Sequence, residues 1–192
     1  MAATNFNFTF ANLRFMESVI INDKRFEVNI PAATIDRRIK ELGAKLNEDL
    51  KNTRPIFVSV LNGSFMFAAD LFREINMEAE ITFIRVSSYS GTESTGTVKS
   101  VVGIKENLEG RTVVIIEDIV DTGDTAIYLI DELKKQNPEK VLFASLLLKP
   151  DALRHPIKID YVGFEVPNDF LVGYGLDYDG LGRNLKDIYK LA

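Results

Sequence analysis

Val113-Val114-Ile115-Ile116-Glu117-Asp118-Ile119-Val120-Asp121-Thr122-Gly123-Asp124-Thr125 decides how the rest of the chain is read. Its β-branched start predicts a buried strand, which runs into two adjacent carboxylates and an Asp-Thr-Gly-x-Thr turn. Beyond the turn, Ala126, Ile127, Leu129, Ile130 and Leu133 recur at helical spacing. Strand, acidic pair, turn and helix in this order place Thr122, Gly123 and Thr125 at a helix N-terminus, where amides lack partners and the dipole end is positive. Gly123 lets the backbone approach a ligand closely, and the threonines add hydroxyl donors, so the turn suits a phosphate. Glu117 and Asp118 would repel that phosphate. They suit vicinal ribose hydroxyls and a magnesium ion bridging to pyrophosphate, and the combination points to a sugar phosphate. Asp121 lies between the two groups, where it could act at the anomeric carbon.

Working outward, Ile56–Leu61, Ala79–Val86, Val98–Ile104 and Val141–Leu148 read as strands. Ile35, Ile39, Leu42, Leu46 and Leu50 form the buried stripe of a surface helix capped by Thr34, and Phe65–Phe72, apolar almost all round, reads as a buried helix. This order, with near-continuous apolar strands, predicts an α/β fold: an open, mainly parallel twisted sheet flanked by helices. In such sheets ligands bind beyond the carboxyl ends of the strands, which directs attention to the residues after Leu61, Ile116 and Leu148. Glu17–Ile30, turning at Asn22-Asp23, reads as a hairpin, and Ile159–Ala192, with no helix of its own, as a small lid. The expectation is one domain over 1–192, with a core at about 34–158 and a hood from about 17–33 and 159–192.

Composition narrows the chemistry. The 192 residues carry a net charge of -5, contrary to the basic face a duplex binder needs, so no nucleic-acid partner is expected. With no cysteine and a single histidine, His155, thiol catalysis, cysteine zinc sites and multi-histidine sites are excluded. Any metal would be held by carboxylates and substrate phosphates, which favours Mg2+. Met1–Phe15 does not read as a signal peptide and no apolar run reaches membrane-spanning length, so no membrane partner is expected and the default location is cytoplasmic. The Asp-Thr-Gly of aspartic proteases is a poor rival, because a helical stripe follows it here. A Walker B reading fails for want of a G-x-x-x-x-G-K-[ST] loop.

The Val113–Thr125 segment resembles the phosphoribosyl pyrophosphate (PRPP) signature of type I phosphoribosyltransferases, and Glu117-Asp118-Ile119-Val120-Asp121-Thr122-Gly123 is similar above all to the hypoxanthine (guanine) phosphoribosyltransferases. The likeness extends over about residues 17–190 and implies the type I phosphoribosyltransferase fold with a small hood. It implies ribose-phosphate binding by Glu117, Asp118, Asp121, Thr122, Gly123, Asp124 and Thr125, and pyrophosphate binding by Leu61, Asn62, Gly63, Ser64 and Arg183. By the same likeness Lys149, Phe170, Leu171 and Asp177 would bind the purine, Lys149 reading its 6-oxo group and Phe170 stacking on it. Asp121 and Lys149 would be catalytic, Ser88 and Tyr89 would open a lid loop, and Glu117, Asp118 and Asp177 would hold Mg2+. Many relatives have a basic residue where this chain has Asn62. The implied activity is transfer of 5-phosphoribosyl from PRPP to an oxopurine by a homodimer or homotetramer. A non-catalytic nucleotide-sensing regulator with the same domain is the alternative from another class.

Overall fold

The computed structural model describes residues 18–88, 98–102 and 104–192. Its larger sheet has six strands. They are β3 (Ile56–Leu61), β4 (Glu80–Ser88), β5 (Val98–Val102), β6 (Thr112–Val120), β7 (Lys140–Leu148) and β8 (Tyr161–Glu165), in the order β5-β4-β3-β6-β7-β8. All neighbours are parallel except the edge pair β4–β5. Helices α1 (Ala32–Asp49) and α2 (Phe65–Arg73) cover one face through Ile35, Leu46, Phe67 and Leu71, which meet Val114 and Ile116 of β6. Helix α3 (Asp124–Lys134) covers the other through Ala126, Leu129 and Leu133, against Val113 and Ile115. Each of these side chains removes apolar surface from water worth roughly 1.5–3 kcal/mol, and the alternation along β6 divides that gain between the two faces.

The chain leaves β3 through α2 towards one edge and leaves β6 through α3 towards the other. The carboxyl ends of β3 and β6 therefore flank the point where strand order reverses, the crevice in which α/β sheets take their ligands.

A second sheet, all antiparallel, stacks β1 (Ser18–Ile21), β2 (Lys24–Ile30), β10 (Ile188–Leu191) and β9 (Leu171–Val172) in that order around its own small core of Ile21, Phe26, Val172 and Tyr189. The hairpin turn at Asn22-Asp23 is present, with Asn22 at φ 53.

Several expectations are corrected. Tyr161–Glu165, assigned to the hood, is an edge strand of the larger sheet. It pairs with β7 because Gly163 passes so close to Leu146 that a Cβ there would lie 2.3 Å from the Leu146 carbonyl oxygen. Arg38 of α1 also donates to the carbonyls of Val162 and Gly163, at 2.9 and 2.8 Å. The core sheet thus runs past 158, and of residues 159–192 only the segment beyond β8 joins β1 and β2 in the smaller sheet. β6 does not stop at Ile116 but continues to Val120, pairing Glu117 with Ser145 and Val120 with Leu148, so the acidic pair stands on the strand itself. Helix α1 begins after Pro31, whose fixed φ suits a helix entry, rather than at Thr34. Helix α2 is buried along one stripe only, with Phe65 40% exposed. Tyr89 lies outside the described residues, and Ser88 is placed only as the last residue of β4. No described helix is long and apolar enough to cross a membrane.

Phe26 is fully buried at the centre of the small sheet. Phe26→Ala is expected to cost about 3–5 kcal/mol of stability, read by chemical denaturation; a loss below about 1 kcal/mol would mean that this sheet has no core of its own.

Candidate active site

Glu117 and Asp118 are consecutive residues of one strand, so their side chains leave opposite faces. Glu117 follows Val113 and Ile115 to the α3 side and lines an open recess with Asp121, Thr122, Gly123 and Thr125. Part of its side chain remains accessible there, but Oε2 is sealed from solvent. Among the described residues it is the one buried side-chain oxygen without a hydrogen-bond partner. Burial, and then the charge of Asp118, push the Glu117 carboxyl well above its usual range. A carboxyl oxygen without a partner, on a side chain that lines a recess, asks for a hydrogen-bond donor.

The turn opposite is built to supply amides. Gly123 sits at φ 85, where a side chain would strain the backbone, and caps α3. The first amides of α3 lack intrahelical partners, and that of Asp124 makes only a long contact with Thr122 Oγ1, at 3.4 Å. The loop after β7 holds the turn from behind: Arg154 N–H donates to Thr122 O at 3.0 Å and Lys149 N–H to Val120 O at 2.9 Å. Lys149, 7% exposed at the end of β7, donates from Nζ to Asp121 Oδ2 at 2.8 Å.

Asp118 emerges on the α2 side, above the turn that ends β3. Its carboxylate lies so close over Gly63 that a Cβ there would come within 1.7 Å of Oδ2. Leu61–Asn62 is a cis peptide. Gly175 packs on the carbonyl of Gly63, leaving a Cβ only 2.1 Å from that oxygen. Arg183 donates to Gly175 O at 2.7 Å and pairs with Asp177 at 2.6 Å. Burial raises Asp118 to about 6, amide hydrogen bonds and the Arg183 charge lower it, and Asp177 raises it again. Asp118, Gly63, Asp177 and Arg183 thus form one cluster. Ser64 belongs to it only through its backbone, because its buried hydroxyl bonds Val60 O at 2.6 Å and Ser59 Oγ at 2.7 Å.

Among the described residues no three acidic or histidine side chains gather closely enough to hold a metal by themselves. Magnesium does not require that, since it keeps several waters and takes one or two carboxylates beside substrate phosphates. Asp118 and Asp177, whose negative charge raises the Asp118 carboxyl, fit such a cation.

Phe170 stands on the rim, 45% exposed, with its ring 6.2 Å from Phe26 and 5.8 Å from Tyr178; Leu171 is buried in β9. Lys24 Nζ sits 4.5 Å from the Tyr178 ring centre and 5.8 Å from that of Phe170. Sequence reading missed Lys24, whose hairpin comes near Phe170 only in the folded chain. It also missed the hydrogen bond from buried Tyr174 to Asp70 of α2 (2.5 Å), which anchors the Gly173–Gly175 turn beside Gly63. Burial, then Asp70, raise the Tyr174 phenol.

Residues 31–179 match the phosphoribosyl transferase domain. The chain is 42% identical over 160 residues to a hypoxanthine-guanine phosphoribosyltransferase of Bacillus subtilis, covering 83% of this chain and 89% of that protein. It belongs to the hypoxanthine-guanine phosphoribosyltransferase family. A relative of that name from Streptococcus thermophilus is 45% identical over 149 residues, covering 77% of this chain and 83% of the relative. Among solved structures, a hypoxanthine phosphoribosyltransferase of Staphylococcus aureus superposes with a TM-score of 0.83 at 40% identity, over 86% of this chain and 91% of that one. A hypoxanthine-guanine phosphoribosyltransferase of Bacillus anthracis gives a TM-score of 0.81 at 37% identity, over 86% and 96%. The open, mainly parallel sheet with flanking helices is therefore the fold of the family, as the resemblance implied.

The contact of Asp118 with Gly63 joins the β3 and β6 ends. Gly63→Ala is expected to cost about 1–3 kcal/mol by overpacking, a fall in Tm of roughly 3–10 °C for a chain of this size, read by calorimetry. An unchanged Tm would mean that Asp118 does not rest on this turn.

Proposed function

We propose that the protein is a purine-salvage enzyme that transfers the 5-phosphoribosyl group of PRPP to N9 of hypoxanthine, and also of guanine, giving IMP or GMP and pyrophosphate. The observation that carries this reading is the recess that Glu117 lines together with the Thr122–Thr125 turn: a carboxyl group with one unpartnered oxygen and the amides at the start of α3 stand at one small space. A carboxylate and a ring of amide donors have opposite demands, and a ribose 5-phosphate meets both. Its hydroxyls donate to the acid, and its phosphate accepts from the amides.

In this reading Asp121, Thr122, Gly123, Asp124 and Thr125 hold the 5-phosphate, chiefly through backbone amides, and Glu117 and Asp118 fix the ribose hydroxyls. Leu61, Asn62 and Gly63, with the amide of Ser64, take the pyrophosphate, and the Arg183 guanidinium adds a planar pair of donors to it. Mg2+ held by Asp118, Asp177 and Glu117 with the substrate's oxygens would offset the charge of the departing pyrophosphate. The purine enters against Phe170, its edge against the backbone of Leu171. Lys149 donates to the 6-oxo group, whereas adenine offers an amine there and no acceptor for the ammonium.

The C1'–O bond to pyrophosphate breaks, positive charge builds on C1', and N9 attacks from the opposite face with inversion. Asp121 takes the proton that the purine gives up at N7. The Lys149–Asp121 pair supports this division of labour, because each group is held where the other can release it to a base carrying an acceptor and a donor side by side. Positioning and charge stabilisation supply most of the rate. Ser88 and Tyr89 belong to the proposed lid that excludes water from the reacting centre.

A homodimer or homotetramer in the cytoplasm, working on small molecules rather than nucleic acid, completes the proposal. Phe65 and Phe83 are 40% and 43% exposed and supply apolar surface for self-association.

An absorbance assay with hypoxanthine, PRPP and Mg2+ tests the activity, and its absence would favour the nucleotide-sensing regulator. Asp121→Asn is expected to lower kcat by roughly 10²–10⁴-fold with KM for PRPP little changed. An unchanged kcat would remove Asp121 from proton transfer.

A further inference from the structure

Asp124 puts a negative side chain inside the turn that is proposed to hold a phosphate. Its amide belongs to the cradle, but its carboxylate opposes the ligand. The carboxylate is also engaged with the cradle itself: Thr122 Oγ1 donates to Asp124 Oδ2 at 2.9 Å. The other oxygen, Oδ1, meets His155 Nε2 at 2.8 Å, and the guanidinium of Arg154 stands 3.7 Å from Oδ2. These are the charged partners around Asp124 among the described residues. They come from the loop that already buttresses the turn through the Arg154 N–H to Thr122 O bond, and that packs Leu153 and Ile157 within 3.4 and 3.6 Å of where a Gly123 Cβ would lie.

We propose that His155 is a positioning residue for phosphate binding: with Arg154 it holds the Asp124 carboxylate from the outer side, so that the Thr122 hydroxyl, bonded to that carboxylate here, can be released to the 5-phosphate of the substrate. Without His155 the carboxylate keeps Thr122 as its main partner and competes with the phosphate for it. The effect is local to the phosphate end. It changes affinity for the phosphorylated substrate, and leaves the purine end, held by Lys149 and Phe170, as it was. The inference rests on the ribose-phosphate reading of the turn, though not on transfer taking place.

The test is a double-variant cycle with two readouts: calorimetric titration with ribose 5-phosphate, and steady-state kinetics with PRPP and hypoxanthine. His155→Ala is expected to weaken ribose 5-phosphate binding and raise KM for PRPP by about three- to tenfold, the worth of one hydrogen bond, with kcat and KM for hypoxanthine unchanged. Asp124→Asn should strengthen phosphate binding, and adding His155→Ala to it should then have no further effect. A His155→Ala protein with wild-type affinity overturns the proposal. So does a loss of affinity that persists when His155→Ala is combined with Asp124→Asn, which would show that His155 merely props the loop. Titration reads the phosphate site whether or not transfer occurs: a silent activity assay with intact binding sinks the enzyme reading alone, and a wild-type protein that does not bind ribose 5-phosphate sinks both.

Discussion

A carboxylate oxygen without a partner, closed off from water at the end of a strand, is the constraint on which the active site depends. Val113 to Ile116 are fully buried, and parallel pairing with β3 and β7 leaves β6 no freedom to swing its end into solvent. Glu117 therefore stands where its charge is costly, and among the described residues no lysine or arginine bonds the sealed oxygen. An unsatisfied buried polar atom costs on the order of 1–3 kcal/mol, more when charged. A fold retains such an atom where a ligand provides the missing partner. The neighbouring turn, at the start of α3 and with Gly123 in a conformation closed to side chains, has the chemistry that suits a phosphate.

The same strand divides the work in two. Alternation sends Glu117 to the α3 face and Asp118 to the α2 face, where it rests on Gly63 and feels Arg183 and Asp177. One pair of adjacent acids thereby stands at two turns, Glu117 beside Thr122–Thr125 and Asp118 over Gly63. Strand order makes this possible, because the reversal between β3 and β6 brings two strand-to-helix turns side by side. The smaller sheet closes the arrangement from the far side: Gly175 touches Gly63, and Tyr174 bonds to Asp70 of α2.

Much of this is legible in the chain. The Val113–Ile116 run, the turn glycine and the helical stripe beyond it specify strand, turn and helix locally, and together they locate the recess at the end of β6. What escapes a sequence reading depends on partners distant along the chain. Glu117 to Val120 do not look like strand, yet pairing with Ser145 to Leu148 carries β6 through them. Tyr161–Glu165 is short and holds a glycine that weakens any strand on its own, and its place is set by Leu146 and by Arg38 more than a hundred residues upstream. Ser64 reads as a phosphate ligand, but its hydroxyl is turned inward by Ser59, five residues before it. Lys24, Asp70 and His155 give no local signal. Each acquires meaning only from the side chain that folding brings to it.

A crystal structure with IMP bound tests the central claim most directly. The phosphate should lie on the amides of residues 122–125 and a ribose hydroxyl should meet Glu117, with the purine between Phe170 and Lys149. A phosphate bound elsewhere, with Glu117 still unpartnered, would contradict it.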